Sequence, residues 1–463
     1  MRRLKPVVAG AGSEGRAIRA TRDPFRLVMA LLVIVTISRI HQHFGPLAAV
    51  RPALLLVLLA GAYAYLNPRF LVRGGLFGTL PAKTMLGLGI MACLSVPLAI
   101  SLGNSGQFII QEYSKTLLLG VLVIAAIRNA RDLYTLVWAF VLSVGILSYL
   151  SLFVFRMAKA GSLMRIAGGY TYDANDIGTV AIVGMAMTLL VLQTARGWHK
   201  GVAIAVLVGA GATLAKTGSR GAFVGLLVVG GAMLVLLRDV RLDKRIAFLL
   251  VVGLGLFIAA PQGYWAQMQT IFTPTEDYNW TSPSGRKAVF KRGIGYMMTN
   301  PATGIGVDNF PRAEGLISDR AREYIAGTAG IKWSAAHNSF LQAAAEMGIP
   351  GLLLFCTLVF GSAFTLIRLR RRLPRSWLKA PGEERFIYLA TMYIPVALLG
   401  FSAAGAFVSF AYSDLVYILC AFAAGTMHCA RAKLAGATTS QPAPVHLTTP
   451  HRRRGGLVTP HRA

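Results

Sequence analysis

The sequence predicts an all-α polytopic membrane protein of about twelve transmembrane helices with one long hydrophilic segment on its outer side. Three observations predict it. Of the 463 residues 55% are hydrophobic, and the mean hydropathy is +0.58. The apolar residues gather into about a dozen runs of roughly 15 to 24 residues, the length an α-helix needs to cross a hydrocarbon layer. Between those runs fall most of 47 Lys and Arg against 18 Asp and Glu, a net charge of +29. A soluble nucleic-acid binder with that charge would be far less apolar, so no nucleic-acid partner is expected. A soluble enzyme would not contain a dozen such runs.

The basic N-terminal segment 1–24 lacks the charged region, short apolar core and cleavage site of a secretory signal. The first apolar run is therefore expected to remain as an uncleaved anchor. Nine spans are expected within 25–262, at 25–41, 52–66, 84–103, 107–127, 132–155, 178–195, 200–215, 221–237 and 246–262. Three more, at 348–367, 386–404 and 411–429, fall within 348–430. An even count puts both termini on one side of the membrane. With that side cytoplasmic, 31 of the 47 basic residues lie in cytoplasmic segments and the adjoining span ends. The short outer connections hold seven, the asymmetry expected when Lys and Arg concentrate on cytoplasmic loops.

The outer segment 263–347 is too long for a simple connector and is expected to fold and to carry function. Within it, SGRKAVFKRGIGYMMTN reads as a helix with Phe290, Ile294 and Met297 on one face, weakened by Gly293 and Gly295. Turn signals follow at Pro301, Gly304, Gly306 and Pro311. The tail 431–463, rich in Thr, Pro, His and Arg, is expected to be disordered. Cys93, Cys356, Cys420 and Cys429 lie in or at the ends of spans and read as small buried hydrophobes.

Polar groups collect at the outer ends of the spans. Arg165 and the stretch Gly168 to Gly178, with Asp173, Asn175 and Asp176, precede the sixth span. Lys216 and Arg220 stand between the seventh and eighth, Arg286, Lys287, Lys291 and Arg292 in the long segment, and His337, Asn338 and Glu346 ahead of the tenth. Arg220 opens a span directly after Gly218 and Ser219. It reads either as a snorkelling interfacial arginine or as an anion contact, since flanking glycines admit a large group and a helix start adds N–H donors. Arg286 is either a solvated loop charge or, with Lys216, Arg220 and Arg292, part of a cradle for a pyrophosphate. His337 is either a hydrogen-bonded capping residue or a proton acceptor whose ordinary pKa suits transfer near neutral pH. Glu346 would fall on the opposite face of a continuous helix and is not expected to orient His337. Asp414 and Glu112, within spans, are expected to pair with a basic residue such as Lys115.

The chain has no GxxxxGK[ST] phosphate loop, no His/Cys/Asp cluster with ligand spacing, and no DxD pair of carboxylates to chelate a divalent ion. No metal or cofactor is expected. Any chemistry must draw on an already activated substrate.

Four pieces of the sequence resemble the O-antigen ligase and polymerase superfamily of bacterial inner-membrane proteins. They are SRGA (Ser219 to Ala222), Gly285 and Arg286 followed by the aromatic Phe290, NPATGIGVDNF (Asn300 to Phe310), and AHNSFLQAAAEMGIPGLLLF (Ala336 to Phe355), in matching order over about 170–370. Phe290 departs from the family, which often has Trp there, although either supplies an apolar anchor. The resemblance implies a C-type glycosyltransferase-like architecture in the inner membrane, with both termini cytoplasmic and the active site periplasmic. It implies three partners: a glycan donor carried on undecaprenyl pyrophosphate, a lipid A-core acceptor, and membrane lipid. The glycan would pass with inversion to a sugar hydroxyl of the core, without metal or ATP. Arg220 and Arg286 would hold the pyrophosphate and stabilise it as a leaving group, and His337 would take the proton of the acceptor hydroxyl. Asn338 and Glu346 would support that site, with Lys216, Arg292 and Arg165 as weaker substrate contacts. A polymerase, a protein O-oligosaccharyltransferase and an anion or lipid-linked sugar transporter are the alternatives. The ligase is favoured because the outer C-terminal domain common in protein-directed relatives is lacking.

Overall fold

A computed structural model of the chain describes residues 23–67, 77–160, 163–167, 169, 171–273, 278–282, 285–326 and 333–439. The N-terminal segment through residue 22, the loop arginines Arg69 and Arg73, Gly168, and the tail beyond residue 439 lie outside the described residues. α1 (Pro24–Ser38) begins behind Asp23, whose carboxylate accepts from the N–H groups of Phe25 and Arg26, with Pro24 at the first helical position. α2 (Gly45–Leu66) is interrupted at Arg51, which sits at φ 48. α3 (Leu80–Ser95) stops eight residues short of the expected 103. Pro97 has no N–H to continue the helix, and 96–101 form a loop whose Ile100 N–H donates to the Ile305 carbonyl at 3.0 Å. α4 (Leu102–Ala126) and α5 (Ala130–Val154) each contain a π-helical turn.

The loop after α5 forms an antiparallel hairpin of β1 (Met157–Ala160) and β2 (Leu163–Ile166), with Arg165 opposite Ala158. The apolar helices α6 (Ala174–Leu192), α7 (Trp198–Thr217), α8 (Arg220–Leu236) and α9 (Leu242–Ala259) follow. The long outer segment contains α10 (Tyr264–Gln269), α11 (Tyr278–Thr281), α12 (Arg286–Thr299), α13 (Phe310–Leu316) and α14 (Asp319–Ile325). The chain ends with α15 (Ser339–Arg370), α16 (Ser376–Lys379), α17 (Glu383–Gly405) and α18 (Asp414–Thr439).

Eight of these helices, α2, α4 to α7, α15, α17 and α18, are long and apolar enough to cross a membrane. Shorter apolar helices occupy the other four expected positions: Pro24–Ser38, Leu80–Ser95, Arg220–Leu236 and Leu249–Ala259. The chain is a multi-pass α-helical membrane protein. α6, α17 and α18 sit at the bundle centre, while α2 lies at its edge. Leu58, Leu227, Leu250 and Phe257 are more than half exposed on the outside of the bundle, where hydrocarbon rather than water suits them. Cys420 and Cys429 are buried as expected, but Cys93 faces outward.

The end of the bundle where α1 begins and α4 gives way to α5 is tied by buried charges. Asp132, fully buried, accepts from Arg26 at 3.0 Å and from Arg128 at 3.1 Å, and Arg128 also reaches Asp23. Removing either sign alone would strand the other in a low-dielectric interior.

Two departures from expectation shape the opposite end. α12 forms where the sequence places a helix, but it buries Val289, Gly293 and Tyr296, one residue out of step with the expected face, and Ile294 is exposed. Gly293 decides this: a Cβ there would come within 2.8 Å of Leu341 and 2.9 Å of Phe310, so the glycine that weakens the helix lets it press against α15. α15 in turn starts at Ser339, nine residues before the expected 348, and breaks at Gly348 with φ 69 and ψ −167. Ile349 then donates to the Pro301 carbonyl, and Pro350 has no N–H at all. The carbonyls of Ala345 and Glu346, left without helical partners, accept from Ile305 at 2.9 Å and Gly306 at 3.1 Å. The AEMGIPG and NPATGIGVDNF stretches are thus two halves of one joint.

Candidate active site

His337 lies just ahead of α15 with φ 47, a left-handed conformation uncommon for a residue with a side chain. Three bonds hold it there. The His337 N–H donates to Ser409 Oγ at 2.9 Å, Ser339 Oγ donates to the Val408 carbonyl at 2.8 Å, and Phe410 N–H donates back to Ser339 Oγ at 2.9 Å. Asn338 caps α15, accepting from Phe340 and Leu341 at 2.9 Å each. Residues 408–410, between α17 and α18, therefore set the orientation of His337. His337 is among the residues lining a cavity of about 980 Å³ that also meets Arg39, Asp173, Asp308, Tyr412 and Asp414, whereas Arg165, Lys216, Arg220 and Arg286 are not among its lining residues.

Arg220 is the first residue of α8, behind Ser219, whose hydroxyl caps Ala222 N–H. Its guanidinium donates to Thr270 Oγ1 at 2.8 Å. Gly221 rests against Phe407, 2.6 Å from where a Cβ would sit, so the start of α8 packs on the segment that holds His337. Arg165 joins Arg220 from the hairpin. Burial and the neighbouring Arg220 charge push the Arg165 pKa down, against the opposing pull of Asp173. Asp173 itself caps α6 in a reciprocal box with Asp176, which commits the side chains of this acidic pair to the helix start.

Arg286 is the first residue of α12. Gly293 meets Leu341, and Pro301 meets Ile349. The two helices therefore run side by side in the same sense, and Arg286 and His337 begin them at the same end. Lys216 lies in the last turn of α7, one turn before Arg220.

Three expected site residues play other parts. Arg292 makes a two-pronged pair with Glu314, Nε to Oε1 at 2.8 Å and Nη2 to Oε2 at 2.5 Å, and Tyr296 donates to the same carboxylate at 2.9 Å. Glu314 is 2% exposed, so the Arg292 charge is neutralised inside the outer segment rather than offered to an anion. Glu346 is fully buried; it accepts from Phe310 N–H, Asp308 N–H and Tyr412 Oη and does not face the cavity. Asn338, 6% exposed, is a helix cap. Glu112 pairs with Lys115 at 3.2 Å as expected. Asp414 also pairs with a basic residue as expected, here Arg39 at 3.1 Å, and accepts from Thr116 at 2.6 Å, with the Arg39 guanidinium over the Tyr172 ring. Arg39, Asp308 and Tyr412 are cavity residues that sequence reasoning did not single out. Each stands alone in the sequence at a span end or turn, where such residues are common.

Fold and site together define a polytopic membrane protein with a histidine-bearing polar cavity at one end of its bundle, flanked by arginines at helix starts. The family model described as O-antigen ligase matches residues 204–356. That stretch carries Lys216, Arg220, Arg286, Arg292, His337, Asn338 and Glu346, and the match bears out the resemblance to the O-antigen ligase superfamily, whose members are membrane glycosyltransferase-like enzymes. Among curated proteins nothing matches.

Proposed function

We propose that this protein is an O-antigen ligase of the bacterial inner membrane. It transfers a glycan from undecaprenyl pyrophosphate to a sugar hydroxyl of lipid A-core at the periplasmic face, with both termini cytoplasmic. The observation that carries the reading is that one segment, 407–410, fastens His337 and abuts the start of α8 with Arg220. This supports a proton acceptor in the cavity with a cation one residue from its Phe407 wall, although Arg220 itself is not among the lining residues. His337 takes the proton of the acceptor hydroxyl as its oxygen bonds to the anomeric carbon. The bond from that carbon to the pyrophosphate breaks on the opposite face, and the configuration inverts. Arg220 and Arg286 stabilise the departing pyrophosphate, with Lys216 and Arg165 adding to the field.

The test is a reconstituted assay with purified protein, lipid-linked glycan and lipid A-core, run with and without EDTA. Transfer to the core, unchanged by EDTA, is expected. Lengthened lipid-linked glycan alone would make the protein a polymerase, and no product at all would favour a transporter. His337→Ala is expected to lower transfer by about 10²- to 10⁴-fold while the protein remains folded in the membrane. Unchanged transfer would remove the histidine from the reaction.

A further inference from the structure

The acidic side chains of the cavity are nearly all committed. Asp414 is held by Arg39 and Thr116, Glu112 by Lys115, and Asp173 and Asp176 by the start of α6. Asp308 differs. Its carboxylate accepts one long hydrogen bond among the described residues, from Asn104 Nδ2 at 3.4 Å, and feels the Arg312 charge without an ion pair to it, while the residue lines the cavity with His337.

The backbone around Asp308 is bonded on every side. Its N–H donates to Glu346 Oε2 at 3.0 Å and its carbonyl accepts from Asn104 at 2.8 Å. On either side, Val307 O accepts from Ser105 at 2.7 Å and Phe310 N–H donates to Glu346 Oε1 at 3.0 Å. These bonds hold Asp308 at φ 58, a conformation that glycine or asparagine adopts at lower cost. Glu346 does this from full burial, where a carboxylate is expensive unless its oxygens are satisfied. The outcome is a cavity-lining aspartate on a loop whose backbone is hydrogen-bonded on both sides.

We infer that Asp308 binds a hydroxyl of the acceptor sugar in the His337 cavity, and that Glu346 is the positioning residue that presents it. The assignment rests on the transfer reaction proposed above. A carboxylate accepting from a sugar O–H makes a charge-assisted bond, the stronger kind, and leaves the proton that His337 removes on a different hydroxyl.

Steady-state kinetics in the reconstituted assay, varying donor and acceptor separately, test this. Asp308→Asn tolerates the left-handed backbone and keeps the shape but removes the charge. It is expected to raise the acceptor KM about tenfold or more and to leave the donor KM within about twofold. Glu346→Gln keeps one acceptor oxygen for two N–H groups and is expected to raise the acceptor KM in the same direction. The double variant should be no worse than Asp308→Asn, because Glu346 acts through Asp308. A merely structural role would instead lower kcat and raise both KM values additively. Should Glu346→Gln fail to fold, Asp308→Asn decides alone. Wild-type transfer with an unchanged acceptor KM in Asp308→Asn, or donor and acceptor KM rising alike, overturns this assignment only. Absence of transfer by the wild type overturns the ligase reading and this assignment with it.

Discussion

Among the cations the sequence offers for a pyrophosphate, Arg220 and Arg292 separate at the level of single side chains. Arg220 donates to the neutral hydroxyl of Thr270 and stands close enough to Arg165 for its charge to be felt there. Arg292 faces a buried carboxylate whose hydrogen bonds drive its own pKa up, burial opposing. Their alanine variants should therefore fail differently. Arg292→Ala strands Glu314 in the interior and is expected to cost about 3–5 kcal/mol of stability, read as a lower Tm, with the donor KM of surviving protein little changed. Arg220→Ala should leave Tm nearly unchanged and weaken donor use far more than acceptor use. The reverse pattern would exchange their roles.

Helix starts and helix breaks do most of the positioning at the scale of elements. α15 is broken where Gly348 and Pro350 free two carbonyls, and the 301–306 loop takes them up. α12 reaches α15 because Gly293 has no side chain. Gly293→Val is expected to overpack that contact by about 1–3 kcal/mol and to displace α12, which carries Arg286. Lower transfer with retained lipid A-core binding is the expected readout, and full activity would show that α12 does not need this contact. At the far end, Asp23 both caps α1 and meets Arg128. Burial raises its pKa, but the bonds and charges of Arg128 and Arg26 outweigh burial and leave it below its ordinary 3.8. A depressed carboxyl adds stability that is fully present above 3.8 and is lost as pH falls through its folded value. Thermal melts from pH 6 to pH 3 should show Asp23→Asn losing its deficit relative to wild type toward the acid end. A constant deficit would mean that the cap alone, and not the ion pair, matters.

For the whole molecule, the opening net charge of +29 divides by position. The basic residues beside spans orient the bundle, whereas a few at the opposite end line or flank the cavity. Orientation is directly testable with single-cysteine variants in a cysteine-free background, since Lys287 and Arg372 are both exposed. An impermeant thiol reagent added to intact spheroplasts should label a cysteine at 287 and not one at 372. The opposite labelling would invert the bundle and move the His337 cavity to the cytoplasm.

Periodicity and charge were enough to read a multi-pass helical bundle, because hydrocarbon forces long apolar helices and the chain must write them out in full. Short motifs were enough to single out Arg220, Arg286 and His337 as candidates, because each stands in a piece that resembles the family: SRGA, Gly285 with Arg286, and the stretch from Ala336 to Phe355. What they could not carry was partnership across the chain. That Arg292 belongs to Glu314, that Glu346 supports a loop nearly forty residues upstream, and that Asp414 pairs with Arg39 rather than Lys115 all depend on which helices lie side by side. The break at Gly348 was visible as a glycine and a proline, but its purpose lay in the loop that fills it. Sequence by itself determined the bundle and the residue types gathered at its ends. Tertiary structure alone decided which charges face the cavity, because in a low-dielectric interior a charge is silenced or exposed by the neighbour it meets, and neighbours are a property of the fold.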